Sequence, residues 1–277
     1  MLDSAEELAK ILEETGAPAD LGLVVRLALP KGGAVYDLSG KFGADHAEAV
    51  ALLRAARPHA ARLGVSFHVG SQCLDPGAYA SAIARAAAAI REAGVAVEVL
   101  DVGGGFPAAY PDITPPPLGS FMAAIRRAVE EHGLGHLRLW AEPGRALVAG
   151  GMSLVVQVQA RRGDALFIND GVYGALSDAG APGFRFPARL IRPGAAAAAE
   201  AQAGFSFFGP TCDSADRMQG PFHLPADARE GDWIEVGQIG AYGACLRTAF
   251  NGFDRAGVVE VADLPLLHTP GYAALAA

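Results

Sequence analysis

The chain has 277 residues, of which 51% are hydrophobic and 19% charged, and this balance excludes both a disordered chain and a small disulfide-stapled module. No run approaches the roughly 18 to 20 unbroken apolar residues that a membrane helix needs, so no membrane partner is expected. A net charge of −8 argues against a nucleic-acid partner. Cys73, Cys212 and Cys245 lie far apart without a C-x-x-C, so neither a disulfide framework nor a metal site is expected. The N-terminal residues lack the basic and apolar regions of a secretory signal, and the expectation is a cytoplasmic protein.

In chain order, Ser4 and Glu7 are spaced as a capping box for a helix over 5–14. A buried strand is predicted over 21–29, a helix over 44–63, a strand over 64–69 and a helix over 76–93. Then follow a strand over 95–102, a helix over 118–132 and a strand over 137–141. Repeated βα units with short apolar strands predict a parallel sheet with helices outside, and such a sheet carries its chemistry at the strand C-termini. After Arg145 the texture changes to strands over 152–160 and 165–169 and near 188–191, 205–208, 233–236 and 258–261. The alanine-rich run 195–203 reads as a surface loop. The fold class is therefore α/β plus all-β, divided at 1–148 and 149–277.

Three consecutive predicted strands end in ligand-competent groups. Ser66-Phe-His68-Val-Gly-Ser71-Gln ends the first with an imidazole and a hydroxyl. Asp101-Val-Gly103-Gly104-Gly105-Phe ends the second, and glycines there let backbone amides close around a phosphate, or simply make a tight turn. Glu142-Pro-Gly-Arg145 ends the third, pairing a carboxylate with a guanidinium suited to bidentate phosphate binding, or forming a local ion pair. A sheet built only for packing has no reason to end three strands this way. In the second half, Gly-Pro-Thr-Cys212-Asp213-Ser-Ala-Asp216 places a thiol beside a carboxylate in a turn-rich loop. Gly-Ala-Tyr242-Gly and Phe-Asn-Gly-Phe253 offer a phenol and an aromatic wall.

Taken in order, the strings SFHVGSQ, DVGGGFP, EPGR, GPTCDSAD and GAYG with FNGF resemble the ornithine decarboxylase branch of the pyridoxal-phosphate enzymes, which have an alanine-racemase-type barrel. The resemblance runs from Leu2 to Phe253. It implies a partial (β/α)8 TIM-type barrel, about its last four βα units, followed by a C-terminal β-sandwich or β-barrel domain. The family's cofactor lysine sits in a segment like Tyr-Ala-Val-Lys-Ala-Asn, whereas lysine occurs here only at 10, 31 and 41. The resemblance thus implies that these residues start near the end of the fourth barrel strand of a longer decarboxylase.

Carried over residue by residue, the resemblance implies that His68 stacks on the pyridoxal-phosphate ring and that Glu142 pairs with its ring nitrogen. Ser71, Gly103, Gly104, Gly105, Arg145 and Tyr242 would bind the phosphate, with Arg26 nearby. In a homodimer with shared active sites, Cys212 would protonate the product carbon in the partner's site. Asp213, with Asp178, would hold the substrate's distal ammonium. Lys41 and Asp216 resemble an ion pair across that dimer. Aspartate after the cysteine, where relatives acting on diaminopimelate carry glutamate, favours a terminal ammonium. Ornithine is therefore the first expected substrate and lysine the second, since one methylene is worth only about 1–3 kcal/mol. Without the lysine segment the chain alone is expected to be inactive. The alternatives are a catalytically dead homologue that pairs with and regulates an active decarboxylase, and a diaminopimelate decarboxylase-like enzyme.

Overall fold

The computed structural model describes all residues except 33, 37, 195–197 and 273–277, so the first part of the predicted 195–203 loop lies outside the described residues. The chain forms two compact units. One comprises Met1–Pro107 and Pro115–Gly144, the other Ala108–Thr114 and Arg145–Ala277. The short excursion 108–114 is not visible in the sequence pattern.

The first unit alternates strands and helices. It runs α1 (Ala5–Thr15), β1 (Gly22–Arg26), β2 (Ala34–Tyr36), α2 (His46–Ala56), β3 (Arg62–Ser66) and β4 (Ser71–Cys73). Then come α3 (Gly77–Ala93), β5 (Val99–Asp101), α4 (Leu118–Glu131) and β6 (Arg138–Trp140). Strands β1, β3, β5 and β6 form a parallel sheet in that order, while β2 and β4 pair antiparallel. Ser4 caps α1 by accepting from the Glu7 amide, and Asp45 and Glu48 form a reciprocal capping box on α2.

The predicted helix over 44–63 is shorter in the structure. Pro58 has no amide to continue the ladder, so the chain passes through a 3-10 turn at Arg57–His59 and enters β3 at Arg62. Helix α3 buries Tyr79, Ile83 and a row of alanines, whose small side chains allow close packing. Tyr79 stacks on Phe106 at 4.9 Å, and Phe121 of α4 meets its edge at 5.9 Å. Strand β6 ends the sheet with all its residues exposed, including Leu139 and Trp140.

The second unit begins with the single helical turn α5 (Arg145–Val148) and continues with β7 (Leu154–Arg162), β8 (Ala165–Ile168) and β9 (Ala188–Ile191). Strands β10 (Gln202–Phe208), β11 (Arg217–Pro225) and β12 (Trp233–Val236) complete a six-stranded sheet ordered β11-β10-β8-β7-β12-β9. Its core gathers Leu166, Ile168, Phe205, Phe207, Met218, Phe222 and Ile234. One expectation needs correction and one strand is new. Strand β11, not among the predicted strands, carries Gly220 and Pro221, and a register shift between Phe205 and Phe207 absorbs them as a bulge. The stretch 258–261 is exposed and joins no sheet among the described residues, because β-favouring side chains do not make a strand without a ladder partner. The sheet's packing rests most visibly on Phe207, fully buried and stacked on Phe222 at 4.1 Å. Phe207→Ala is expected to cost about 3–5 kcal/mol in urea unfolding. A loss below about 1 kcal/mol would place the stabilising contacts elsewhere.

Candidate functional site

In the first unit the site follows from strand register. Ser66 pairs with Asp101, and Asp101 with Trp140, so the residues after each strand emerge together. The alignment continues past the strands: the Phe67 amide donates to Asp101 O, Val102 to Trp140 O, and Glu142 to Gly103 O at 2.8 Å. His68, the glycine triplet and Glu142 are thereby brought to one end of the sheet.

The glycines are needed by the protein's own backbone. Gly103 has φ 66°, and a Cβ there would lie 2.0 Å from Phe67 O. At Gly104 a Cβ would lie 2.9 Å from His68 Nε2, so the imidazole lies directly against the turn. The Tyr79 hydroxyl donates to Gly104 O at 2.9 Å, and the Gly103 amide donates to Asp101 Oδ1 at 2.8 Å. The bland reading of the triplet as a tight turn is thus satisfied, and it fixes the place of His68 and Glu142 as well.

His68 Nδ1 accepts from the Gly70 amide at 3.0 Å, which selects the Nε2–H form of the neutral ring. Burial and then the Arg26 charge hold its pKa below the ordinary histidine value, so the ring is uncharged at neutral pH. Glu142 is exposed, yet its carboxyl is pushed up, first by the desolvation it does experience, then by the Asp101 charge and a hydrogen bond to Asp101, with Arg26 opposing. Ser71 is buried at the start of β4, and Arg26, the last residue of β1, lies over the Phe42 ring.

In the second unit Arg145 is 5% exposed. Its Nη1 donates to the Tyr110 hydroxyl at 2.9 Å and its Nη2 to Asp178 Oδ2 at 2.8 Å. The Phe184 and Tyr242 rings flank the guanidinium at 4.7 and 4.8 Å, and its Nε is buried without a partner. Asp178, predicted to meet a substrate amine, is therefore also the counter-ion of Arg145; burial raises its pKa against the arginine's pull.

The loop after β10 is organised by Asp216. This buried carboxylate accepts from the Val172 amide at 2.8 Å and from the Thr211 amide and hydroxyl. Within one chain Asp216 thus ties together two loops of its own unit, whereas the expected pair with Lys41 lies across a dimer. Cys212 is exposed, its amide donating to Asn251 Oδ1 at 3.0 Å. Asp213 accepts from the Tyr173 hydroxyl and from the Ala215 amide, and the tyrosine bond is the main cause holding its carboxyl below the usual range. Sequence reasoning missed Tyr110 and Tyr173, whose partners lie far along the chain. Asp101, directly ahead of the glycines at a strand end, was visible there.

A parallel βα sheet with its reactive groups at the strand C-termini, followed by a β-domain, defines the barrel class of α/β enzyme folds with a C-terminal β-domain. Residues 1–149 match the family model for the pyridoxal-dependent decarboxylase, pyridoxal binding domain, and the chain belongs to this family. It is 32% identical to ornithine decarboxylase of Schizosaccharomyces pombe, covering 93% of this chain and 61% of the relative, so it spans about six-tenths of that enzyme's length. Among solved structures it resembles the arginine decarboxylase of Paramecium bursaria Chlorella virus, with TM-score 0.76, 30% identity, and 92% and 69% of the two chains covered. It is equally similar to lysine/ornithine decarboxylase from Vibrio vulnificus complexed with putrescine, with TM-score 0.75, 31% identity, and 94% and 68% covered. The cofactor of the family is pyridoxal phosphate.

The folded-state pKa of Glu142 lies above its unfolded value, so its contribution to stability is full in acid and is lost as the pH rises through the folded-state value. Glu142→Gln, which mimics the protonated form, should match the wild type in thermal unfolding near pH 4 and exceed it slightly at pH 8. An equal gap at both pH values would remove Asp101 and partial burial as the cause.

Proposed function

We propose that the protein containing these residues is a pyridoxal-phosphate-dependent decarboxylase of basic amino acids, converting ornithine to putrescine and, second, lysine to cadaverine. The observation that carries this reading is the shared strand-end position of a neutral imidazole, a glycine turn and a carboxyl at Glu142. The donor set fits the cofactor. His68 would stack on its ring, Glu142 would hold a proton on the ring nitrogen, and Arg26 would lie nearby. Ser71, the glycine turn, Arg145 and Tyr242 would take its phosphate, and the unpartnered Nε of Arg145 leaves a donor for that anion. Gly103 would serve there as the turn, since its own amide is taken by Asp101. Bound pyridoxal phosphate supplies the electron sink for the pair released when the α-carboxylate leaves as CO2.

Cys212, exposed on its loop, would return a proton to the α-carbon. Asp213, ionised and held from two sides, would take the distal ammonium, with the remaining Asp178 oxygen as a second acceptor. In the homodimer this reading requires, Cys212 and Asp213 would act in the partner's site. Ornithine, lysine and arginine, the substrates named for the three similar proteins described above, all end in a cation.

Of the lysines in these residues, Lys10 lies on α1, and Lys31 and Lys41 lie between β1 and α2. With one equivalent of pyridoxal phosphate and borohydride, these 277 residues alone are expected to show only scattered, low-level labelling of exposed amines by mass spectrometry, and stoichiometric labelling of Lys10, Lys31 or Lys41 would show that one of them serves as a cofactor lysine. In the whole protein, CO2 release should rank ornithine first, then lysine, with diaminopimelate inert. A preference for diaminopimelate would sink the substrate assignment. Cys212→Ala should lower kcat about a hundredfold, and Asp213→Asn should raise the ornithine KM about tenfold or more.

A further inference from the structure

The excursion 108–114 leaves the first unit only to be fastened into the second. The Tyr110 and Ile113 backbones bond to each other, and Gln238 Nε2 donates to Ala109 O at 2.8 Å. Arg185 pairs with Asp112 at 2.8 Å. The Tyr110 ring is buried against Phe184 and Phe186, with centroids 5.3 and 5.4 Å away. What so many attachments deliver is one hydroxyl, set 2.9 Å from Arg145 Nη1.

We propose that Tyr110 is a positioning residue for Arg145: with Asp178 it occupies both Nη groups, fixing the guanidinium plane so that the Nε–H is left for a phosphate oxygen. This rests on the reading of Arg145 as a phosphate-binding residue. Two physical points support it. A buried, charged donor without a partner is costly, and Nε is such a donor in a guanidinium whose other two nitrogens each already donate a hydrogen bond. The chemistry of the acceptor at Nη1 also matters. A second carboxylate beside Asp178 would make the cluster net anionic and repel phosphate. A phenol, kept neutral chiefly by burial, accepts the hydrogen bond without adding charge. The charged groups facing the cluster are Arg145 and Asp178, with the Tyr110 and Tyr242 phenols beside them.

The test compares binding of pyridoxal phosphate, pyridoxal and inorganic phosphate to the full chain carrying Tyr110→Phe or Arg145→Gln, with the Arg145 Nε–H signal followed by NMR. Tyr110→Phe keeps the buried ring but removes the acceptor of Arg145 Nη1, so it should lower thermal stability modestly while keeping the folded circular-dichroism spectrum. It should weaken pyridoxal phosphate about tenfold, leave pyridoxal unaffected, and reduce the phosphate-induced shift of the Nε–H signal. If Arg145→Gln abolishes the preference for pyridoxal phosphate over pyridoxal while Tyr110→Phe retains it, the positioning role is overturned and the reading of Arg145 stands. If Arg145→Gln retains the preference, both fall. If Tyr110→Phe weakens both compounds alike, Tyr110 is only structural and the proposal fails.

Discussion

The chemistry of the first unit hangs on the parallel register that sets Ser66 beside Asp101 and Asp101 beside Trp140. Parallel strands in register end at the same level, so the residues that follow them meet without any special interaction among themselves. The amide of Glu142 on the carbonyl of Gly103 extends that register one step past the sheet. A slip of one residue would turn every side chain of a strand to the opposite face and scatter His68 from Glu142.

In the second unit, carboxylates do the fastening. Asp216 joins the turn after β8 to the loop carrying Cys212 and Asp213, and Asp170 braces the same turn from inside through the Gly171 and Ala175 amides and Arg247. The cost of such packing is specific sequence. A Cβ at Gly171 or Gly209 would lie 2.0 or 2.2 Å from the Asp216 carboxylate, so glycine is the residue that admits it. The loop that presents the thiol is shaped by an anion that never reaches the surface.

Much of this was legible in the chain. The strand-end strings placed His68, Gly103 to Gly105 and Glu142 correctly on the C-terminal side of β3, β5 and β6, because a βα unit leaves few choices for where a strand's last residues go. The less legible features were those decided by distant partners. Pairing of β2 with β4 joins two segments too short to show periodicity. Strand β11 survives Pro221 only because β10 tolerates a bulge. The stretch 258–261 has the composition of a strand and lacks a ladder. Tyr110 and Tyr173 acquire meaning only when Arg145 and Asp213 come beside them, 35 and 40 residues away.

The path of the chain between the units has a practical meaning. Because residues 108–114 belong with 145–277, the polypeptide passes from one unit to the other after Pro107, again after Thr114 and again after Gly144. A lone protease nick therefore cannot release either body, and a gene fragment ending at residue 144 would carry in its middle a segment that belongs to the other unit. Insertions and domain exchanges in this family member would have to respect all those junctions at once, which makes the two bodies inherit together.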